Sequence, residues 1–149
     1  DDLVLDVLRR TSSDYNSAIP FFKWIISVTD ISGYTPTVEV YNEMLGILGK
    51  ARRLEELKQM FNEMFERGLM NERSYEIVVH KFCAAHKIDD AIEFFDKRKE
   101  YGLKVDLAAF NSLLLSLCRY KHVETAELLL LKHYGTFTLA LPTRLHSFG

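Results

Sequence analysis

The sequence predicts an all-α fold, a right-handed superhelical solenoid of helix-turn-helix repeats stacked one on the next. Two observations support this prediction. Equivalent residues recur every 34 to 35 positions along the 149-residue chain. Between the few Gly and Pro residues, which we expect only at breaks, apolar side chains recur at the helical spacing of three and four. The recurring positions form a glycine, an aromatic and an aliphatic series: Gly33, Gly68 and Gly102; Tyr41, Tyr75 and Phe110; Ile19, Leu54, Ile88 and Val123.

The first unit, residues 1–36, is predicted to be a divergent helical hairpin. Its apolar pattern places one helix near Leu3–Arg9 and a second near Ala18–Val28. The polar link at residues 11–14 offers side chains that can cap the second helix. Residues 31–36 are expected to form a loop in which Gly33 takes a left-handed conformation.

The second and third units are predicted to be complete repeats, residues 37–71 and 72–106. In the second unit the tight connection is Lys50–Arg53, and Gly68 follows the second helix. In the third, Asp89 is expected to cap or start the second helix and to complement its dipole. Each aromatic of the series, with its apolar neighbours, is expected to lie in the core.

The fourth unit is predicted to be an incomplete repeat, residues 107–132, with Asp106 as its N-cap. Residues 133–149 form a divergent tail without acidic residues or a clear helical face. Phe137 stands there at the position where the period predicts a glycine. We therefore expect the tail to leave the repeat unfinished and the end of the stack uncapped.

Composition narrows the class of protein. A hydrophobic fraction of 48% and a charged fraction of 27% predict a folded domain. The formal net charge of −2 argues modestly against a nucleic-acid binder, which is often strongly basic. Two cysteines suit a reducing compartment, and no apolar run is long enough to span a membrane. Because the chain begins at Asp1, we expect a fragment or a processed form.

Short motifs recur in register with the period. Residues 38–42 read Val-Glu-Val-Tyr-Asn, and residues 54–57 read Leu-Glu-Glu-Leu, followed by Phe61, Met64 and Gly68. The third and fourth units repeat much of this pattern, which over residues 15–131 resembles the pentatricopeptide repeat of plant organellar P-type proteins, here an amino-terminal fragment. The tetratricopeptide repeat shares the spacing, but its first-helix pattern is missing here.

This resemblance implies a non-catalytic protein that binds single-stranded RNA, with about one base read by each unit. It pairs the residue after each first-helix aromatic with the last residue of the repeat. The base-reading pairs implied are Asn42 with Asn71 (or Glu72), Glu76 with Asp106, and Asn111 with a residue of the tail. An Asn–Asn pair resembles the pyrimidine-reading type.

Three further sets of positions bear on this hypothesis. The usual valine that flanks each base is replaced by Glu39, Arg73 and Ala108. Glu76 beside Asp106 would place two carboxylates next to one base, which repels phosphate. Basic residues after the first helices are the phosphate-binding candidates: Lys50, Arg52, Arg119 and Lys121.

Simpler interpretations exist for each feature. The asparagines can simply be solvated helix residues, and the Lys50–Arg53 cluster can be a solvated turn at a helix C-terminus. Cys83 with His86 and Cys118 with His122 suggest zinc, but the period places the two cysteines in neighbouring helices, about 8–10 Å apart. We therefore expect no metal, no cofactor and two buried cysteines, and no catalytic motif is present.

The sequence thus predicts an RNA-binding repeat protein of organellar RNA processing, stability or translation. We expect a monomer in mitochondria, or alternatively in chloroplasts, with single-stranded RNA and other proteins of organellar RNA complexes as partners and without membrane attachment. The alternative is a protein-binding helical scaffold similar to tetratricopeptide repeats. A non-functional truncation is the third possibility.

Overall fold

The computed structural model describes residues 2–133, which form eight α-helices, one 3-10 helix and no strand. The α-helices are α1 (Asp2–Arg10), α2 (Tyr15–Ser32), α3 (Val38–Lys50), α4 (Leu54–Glu66), α5 (Glu72–Ala84), α6 (Ile88–Asp96), α7 (Leu107–Arg119) and α8 (Val123–Lys132). The 3-10 helix is Arg98–Tyr101. The prediction of an all-α chain is confirmed, and residues 134–149 of the predicted tail lie outside the described residues.

The helices form two layers. The first helices α1, α3, α5 and α7 lie side by side, each in contact with the next. The second helices α4, α6 and α8 each pack against the helix that precedes them, and α2 packs against α3. The chain is therefore a stack of helical hairpins. Within residues 2–133, no helix combines the length and apolar character needed to cross a membrane.

The aromatic series lies in the core that joins one unit to the next. Tyr41, Tyr75 and Phe110 are each at most 1% exposed, as predicted. The Phe22 ring of α2 meets Tyr41 edge-on with centroids 5.5 Å apart, and the Phe61 ring of α4 meets Tyr75 at 5.4 Å. Burial of each such ring contributes about 1.5–3 kcal/mol. Helices α3 and α5 are thus each anchored to the second helix of the preceding hairpin.

The turn from first to second helix has the same geometry in three hairpins. Its left-handed residues are Arg52, His86 and Lys121, with φ angles of 61°, 60° and 68°. Non-glycine residues rarely adopt this conformation. In each turn the next N–H donates to the carbonyl five positions earlier, a bond that closes a helix C-terminus. These bonds run from Arg53 to Leu48 (2.9 Å), Lys87 to Phe82 (2.9 Å) and His122 to Leu117 (2.8 Å).

The turn from second to first helix uses glycine but varies in length. Gly33, Gly68 and Gly102 have φ angles of 75°, 71° and 77°, in the left-handed region that glycine adopts without strain. The loop to the next helix comprises residues 34–37 after Gly33, residues 103–106 after Gly102, and only residues 69–71 after Gly68. The variation between 34 and 35 residues per repeat therefore falls in this loop.

The expectation that Gly and Pro occur only at breaks is wrong. Pro20 lies inside α2, and Gly46 and Gly49 lie inside α3. Helix α2 also continues to Ser32, so the predicted loop of residues 31–36 starts two residues later. Pro20 is the sixth residue of α2, beyond the first turn, so it removes the backbone bond that residue 20 would otherwise donate to the Asn16 carbonyl. Gly49 has a packing role, because a Cβ atom there would lie 2.7 Å from the Cβ of Lys81.

Helix caps were predicted with mixed success. Asp14 accepts a hydrogen bond from the Ser17 N–H (3.3 Å), and Asp106 accepts one from the Ala109 N–H (2.9 Å), so both cap helices as expected. Asp89 does not cap α6, because the helix begins one residue earlier at Ile88. It lies in the first turn, where its charge favours the helix dipole.

The two cysteines have different environments, which corrects the expectation that both are buried. Cys83 is buried and Cys118 is exposed, although both occupy the same register position. Burial raises the pKa of the Cys83 thiol to about 11. The first helix α5 has α7 packed beside it, whereas within residues 2–133 no further first helix covers the corresponding side of α7.

The 3-10 helix introduces a buried charge that the periodicity did not predict. Arg98 is 2% exposed and forms an ion pair with Glu72 at the start of α5. Its Nε atom also donates to the Lys104 carbonyl (3.1 Å), and its guanidinium lies 5.1 Å from the Tyr75 ring centroid. Arg98 thereby connects the 3-10 helix to the loop at Lys104 and to the start of α5.

Gly49→Ala is expected to lower the free energy of unfolding by about 1–3 kcal/mol, because the new methyl group would overlap the Lys81 side chain. Gly46→Ala is the matched control in the same helix, since a Cβ there meets nothing within 4 Å. It is expected to be neutral or to stabilise by up to about 1 kcal/mol. Urea unfolding of both variants measures the difference, and equal stabilities would contradict this packing role.

Candidate nucleic-acid interface

A groove of about 690 Å³ runs along the first-helix layer. All four first helices contribute to it, so it crosses the unit boundaries instead of lying within one hairpin. Its lining includes Arg9 of α1; Asn42, Glu43 and Gly46 of α3; Glu76, His80 and Lys81 of α5; and Ser112, Ser116 and Arg119 of α7. The polar and charged character of this lining suits a polar ligand more than an apolar one.

Two of the predicted base-reading residues line this groove. Asn42 and Glu76 both do so, each one position after a buried aromatic of the series. Asn111 is exposed on α7 at the same register position. The flanking positions Glu39 and Arg73 also line the groove. The shared register therefore presents equivalent residues of successive units on one side of the stack.

Asn42 and Asn71 are brought together across the boundary between two units. The Asn42 Nδ2 atom donates to Asn71 Oδ1 at 3.4 Å. The Ser74 hydroxyl donates to Asn42 Oδ1 at 2.6 Å. Ser74 is fully buried, so this bond holds the Asn42 amide from the protein side. The amide carbonyl is thus occupied while its NH₂ group lies towards Asn71.

Ser74 also completes a capping box at the start of α5. The Asn71 side chain accepts from the Ser74 N–H (2.9 Å), and the Ser74 hydroxyl accepts from the Asn71 N–H (3.2 Å). Asn71 therefore has a fixed position. Glu72, the alternative member of the pair, lies on the first turn of α5 and binds Arg98. The contact with Asn42 is made by Asn71.

Glu76 and Asp106 have separate partners. The Asp106 carboxylate caps α7 through the Ala109 N–H. The Glu76 carboxylate lies 3.8 Å from the Arg73 guanidinium, one helical turn away in α5. In α3, Glu43 similarly binds Arg9 of α1, with Nε and Oε1 3.0 Å apart. Much of the acidic charge predicted for this surface is therefore matched by arginine.

The predicted phosphate-binding residues cluster around the ends of first helices. Lys50 is the last residue of α3 and donates to Ser13 Oγ at 3.0 Å. Arg52 donates to the Gly49 and Ala84 carbonyls at 2.9 and 3.2 Å, and so joins the ends of α3 and α5. Arg119 lines the groove at the end of α7, and Lys121 is the exposed left-handed residue of the next turn.

His80 links α5 to the unit that follows. Its Nε2 atom lies 2.8 Å from the Tyr120 hydroxyl, and its Nδ1 atom lies 3.3 Å from the Ser116 hydroxyl. Burial holds the pKa of His80 below its usual range, and the positive charges of Lys81, Arg119 and Arg73 lower it further. The neutral imidazole is therefore favoured in the folded chain.

Sequence reasoning missed Ser74, His80 and Lys81. Ser74 had a local signal, since Asn71 followed three residues later by Ser74 can form a capping box. The contacts of His80 span about one repeat and leave no such local signal. Within residues 2–133, no group of three or more His, Cys, Asp or Glu residues could hold a metal ion.

Comparisons with known proteins find similarity over most of the chain. Residues 36–84 match the PPR repeat family. The chain is 45% identical over 130 residues to pentatricopeptide repeat-containing protein At3g15200 of Arabidopsis thaliana, covering 87% of this chain and 24% of that protein. It is 35% identical over 128 residues to pentatricopeptide repeat-containing protein At5g15010, mitochondrial, of the same plant, covering 85% and 22%. It thus spans 22–24% of the length of these relatives.

Ser74→Ala is expected to lower the free energy of unfolding by about 1–2 kcal/mol, because it removes half of the capping box and leaves Asn42 without its buried donor. Urea unfolding measures the loss. Ser27→Ala is the control, since that exposed hydroxyl only donates to the Trp24 carbonyl of its own helix. A Ser74→Ala variant as stable as the control would contradict the role assigned to this hydroxyl.

Stability is expected to decrease as the pH falls through about 6.5, the pKa of an unfolded-state histidine. Because the pKa of His80 is lowered in the folded chain, the unfolded chain binds more protons in this range. The stabilisation from neutral His80 is complete above the unfolded-state pKa and is lost as the pH falls towards the folded-state pKa. In the parent chain the urea midpoint above about pH 7.5 should exceed the midpoint below about pH 5, and His80→Gln should reduce this difference. An unchanged difference would contradict the assignment.

Proposed function

Because the chain belongs to the pentatricopeptide repeat family, we propose that it binds single-stranded RNA along its groove and acts without catalysis in organellar RNA processing, stability or translation. Each unit contributes about one base contact, and Lys and Arg side chains at the helix ends bind phosphates. The chain acts by recognising an RNA segment and by sterically covering it. With so few units the chain binds weakly, since contacts accumulate over repeats.

The observation that supports this proposal most is the Asn42–Asn71 pair on the groove. Ser74 occupies the Asn42 carbonyl, and Asn71 Oδ1 already accepts from the Ser74 N–H. Each amide NH₂ group has two donors. Only one of these four donors is used within residues 2–133, in the bond from Asn42 to Asn71. The pair therefore offers N–H donors to the acceptors that every base edge carries. The preference for a pyrimidine follows from the resemblance of this Asn–Asn pair to the pyrimidine-reading type of the family.

The other two units are expected to contribute less. Glu76 lines the groove as a carboxylate beside Arg73. Its expected partner Asp106 caps α7 as Asn71 caps α5, but its carboxylate has no N–H group to donate. A carboxylate at this position only accepts hydrogen bonds and disfavours nearby phosphate. Asn111 is exposed and suited to pairing with a base, but its partner falls among residues 134–149, outside the described residues. Recognition by this segment therefore rests mainly on Asn42 and Asn71.

We propose a mitochondrial location, with chloroplasts as the alternative. Relatives such as At5g15010 and At3g22670 of Arabidopsis thaliana carry the word mitochondrial in their names. The second of these is 34% identical over 140 residues, covering 91% of this chain and 24% of that protein. Partners in the organelle would be the RNA and other proteins of organellar RNA complexes, with the chain itself monomeric.

A protein-binding scaffold is the second candidate function. Glu39, Glu43 and Glu76 place three carboxylates in the groove, which favours a basic peptide or helix. Two of them have arginine partners, Arg9 and Arg73. This pairing reduces the acidic field of the groove and makes RNA the better supported ligand.

The test is fluorescence anisotropy with labelled single-stranded homopolymers of each base at several salt concentrations. We expect weak binding that falls with salt and favours pyrimidine homopolymers. Asn42→Ala should reduce the discrimination between bases by about 1–3 kcal/mol, and Asn111→Ala should do so to a smaller extent. Asn16→Ala, at an exposed residue of α2 away from the groove, is the matched control.

Two results would contradict the proposal. Binding that ignores salt and survives both Asn42→Ala and Asn111→Ala would exclude base reading at these positions. Absence of RNA binding, together with tight binding of a basic peptide that depends on Glu39 and Glu43, would favour the scaffold instead.

A further inference from the structure

Two histidines of successive tight turns meet at the surface of the stack. The Nδ1 atom of His86 lies 2.7 Å from the Nε2 atom of His122. The two ring centroids are 5.0 Å apart, and the ring planes are inclined by 57°. His86 is exposed and His122 is half-buried, and neither lines the groove. This pair is therefore separate from the surface proposed to bind RNA.

Backbone hydrogen bonds hold both histidines in place. His86 is the left-handed residue of the turn between α5 and α6, and the N–H of the next residue, Lys87, donates to the Phe82 carbonyl at 2.9 Å. His122 follows the left-handed residue of the next turn, and its own N–H donates to the Leu117 carbonyl at 2.8 Å. Because α5 and α7 pack side by side, two turns of the same geometry present their imidazoles to each other.

The short distance between the two ring nitrogens restricts what can lie between them. In the free chain, one ring donates its N–H to the lone pair of the other, and two protonated rings at this distance would repel each other. A metal cation can replace the shared proton, if that proton moves to the outer nitrogen of its own ring. Both facing nitrogens then present lone pairs, and neutral imidazole is the commonest metal ligand in proteins.

The spacing of the nitrogens is close to that of two ligands on one ion. A divalent ion about 2.0–2.1 Å from each nitrogen needs the nitrogens about 2.9 Å apart at a right angle, or about 3.4 Å apart at the tetrahedral angle. The rings must therefore separate by less than about 1 Å and turn about their χ2 bonds, a torsion that is broad for histidine. The right angle requires the smaller movement, and it is typical of Cu²⁺ and Ni²⁺.

The histidines belong to two sequence motifs that also contain cysteines. The distance between Cys83 and Cys118 argues against a site that uses both cysteines, but it does not apply to His86 and His122. These histidines are 36 residues apart, about one repeat, so the period brings them together at the boundary between two units. Within residues 2–133, no third His, Cys, Asp or Glu side chain completes a cluster around them. Water must therefore supply the other ligands.

We propose that His86 and His122 form a two-histidine site for a divalent transition-metal ion that imidazole binds well: Cu²⁺, Ni²⁺ or Zn²⁺. The ion joins the turn between α5 and α6 to the N-cap of α8, and so links the third unit to the fourth. Because a ligand that binds only the folded chain stabilises it, the metal opposes separation of these units. The site is independent of the proposed RNA binding.

The first experiment titrates Zn²⁺ into the full 149-residue chain and follows the imidazole nitrogens by NMR. We expect Nδ1 of His86 and Nε2 of His122 to shift together, while the outer nitrogen of each ring carries a proton. Mg²⁺, which prefers oxygen ligands, should shift neither. His133, a single imidazole packed against Phe110, is the internal reference. If the two facing nitrogens do not shift together, the site is overturned.

The second experiment measures Ni²⁺ binding by calorimetry in the parent chain, in His86→Asn, in His122→Gln and in the double variant. Asn is chosen at position 86 because it tolerates the left-handed conformation. Each single change should weaken binding by about 10-fold or more, and the double change should add little, since both rings hold one ion. His133→Gln is the matched control and should bind as the parent does.

Circular dichroism checks that every variant is folded, and thermal unfolding provides a further readout. Ni²⁺ should raise the unfolding temperature of the parent chain and of His133→Gln, but not that of His86→Asn or His122→Gln. If each single variant binds Ni²⁺ as tightly as the parent does, the two rings act independently. The contact between His86 and His122 is then only a hydrogen bond, and the proposal fails.

Discussion

One backbone hydrogen bond in each tight turn determines how a hairpin closes. The bond runs from the residue after the left-handed position back to the last turn of the first helix, as in Arg53 to Leu48. It recurs unchanged from hairpin to hairpin, although the left-handed position holds Arg52, His86 or Lys121 instead of glycine. The bond and the packing of both helices offset the strain of that conformation. Every second helix consequently starts at a fixed distance from the aromatic of its first helix.

The constant geometry of this turn keeps equivalent side chains of successive units in register along the groove. Because these three hairpins close identically, the side chains that follow Tyr41, Tyr75 and Phe110 lie on one side of the stack. The buried rings set the position of each first helix against the preceding hairpin, and the residue beside each ring faces outwards. A stack that only had to be stable could place any polar residue there. The chemistry of the groove is therefore decided at positions that lie outside the buried aromatic core.

Local features were predictable from the sequence, whereas most side-chain contacts between units were not. The pairing of Asn42 with Asn71 was implied by the family resemblance. The cap at Asp106 could be predicted because its partner is three residues away and its residue type favours helix starts. The bond from Ser74 to Asn42 spans 32 residues, and that between His80 and Tyr120 spans 40. The period identifies neighbouring units but not which side chains touch, since that depends on side-chain rotamers and helix crossing. The pattern thus predicts the fold class, whereas the organisation of the candidate site depends on contacts between units that the pattern does not specify.

The loops of residues 34–37, 69–71 and 103–106 tie the spacing of the repeats to their chemistry. Each loop ends at the residue that caps the next first helix: Thr37, Asn71 or Asp106. Since the tight turns are constant in length, insertions and deletions are tolerated mainly in these loops. Gaining or losing one residue there moves a different side chain to the capping position, next to the preceding unit. A change in the length of these loops therefore also changes the polar groups displayed between units, without any substitution in a helix.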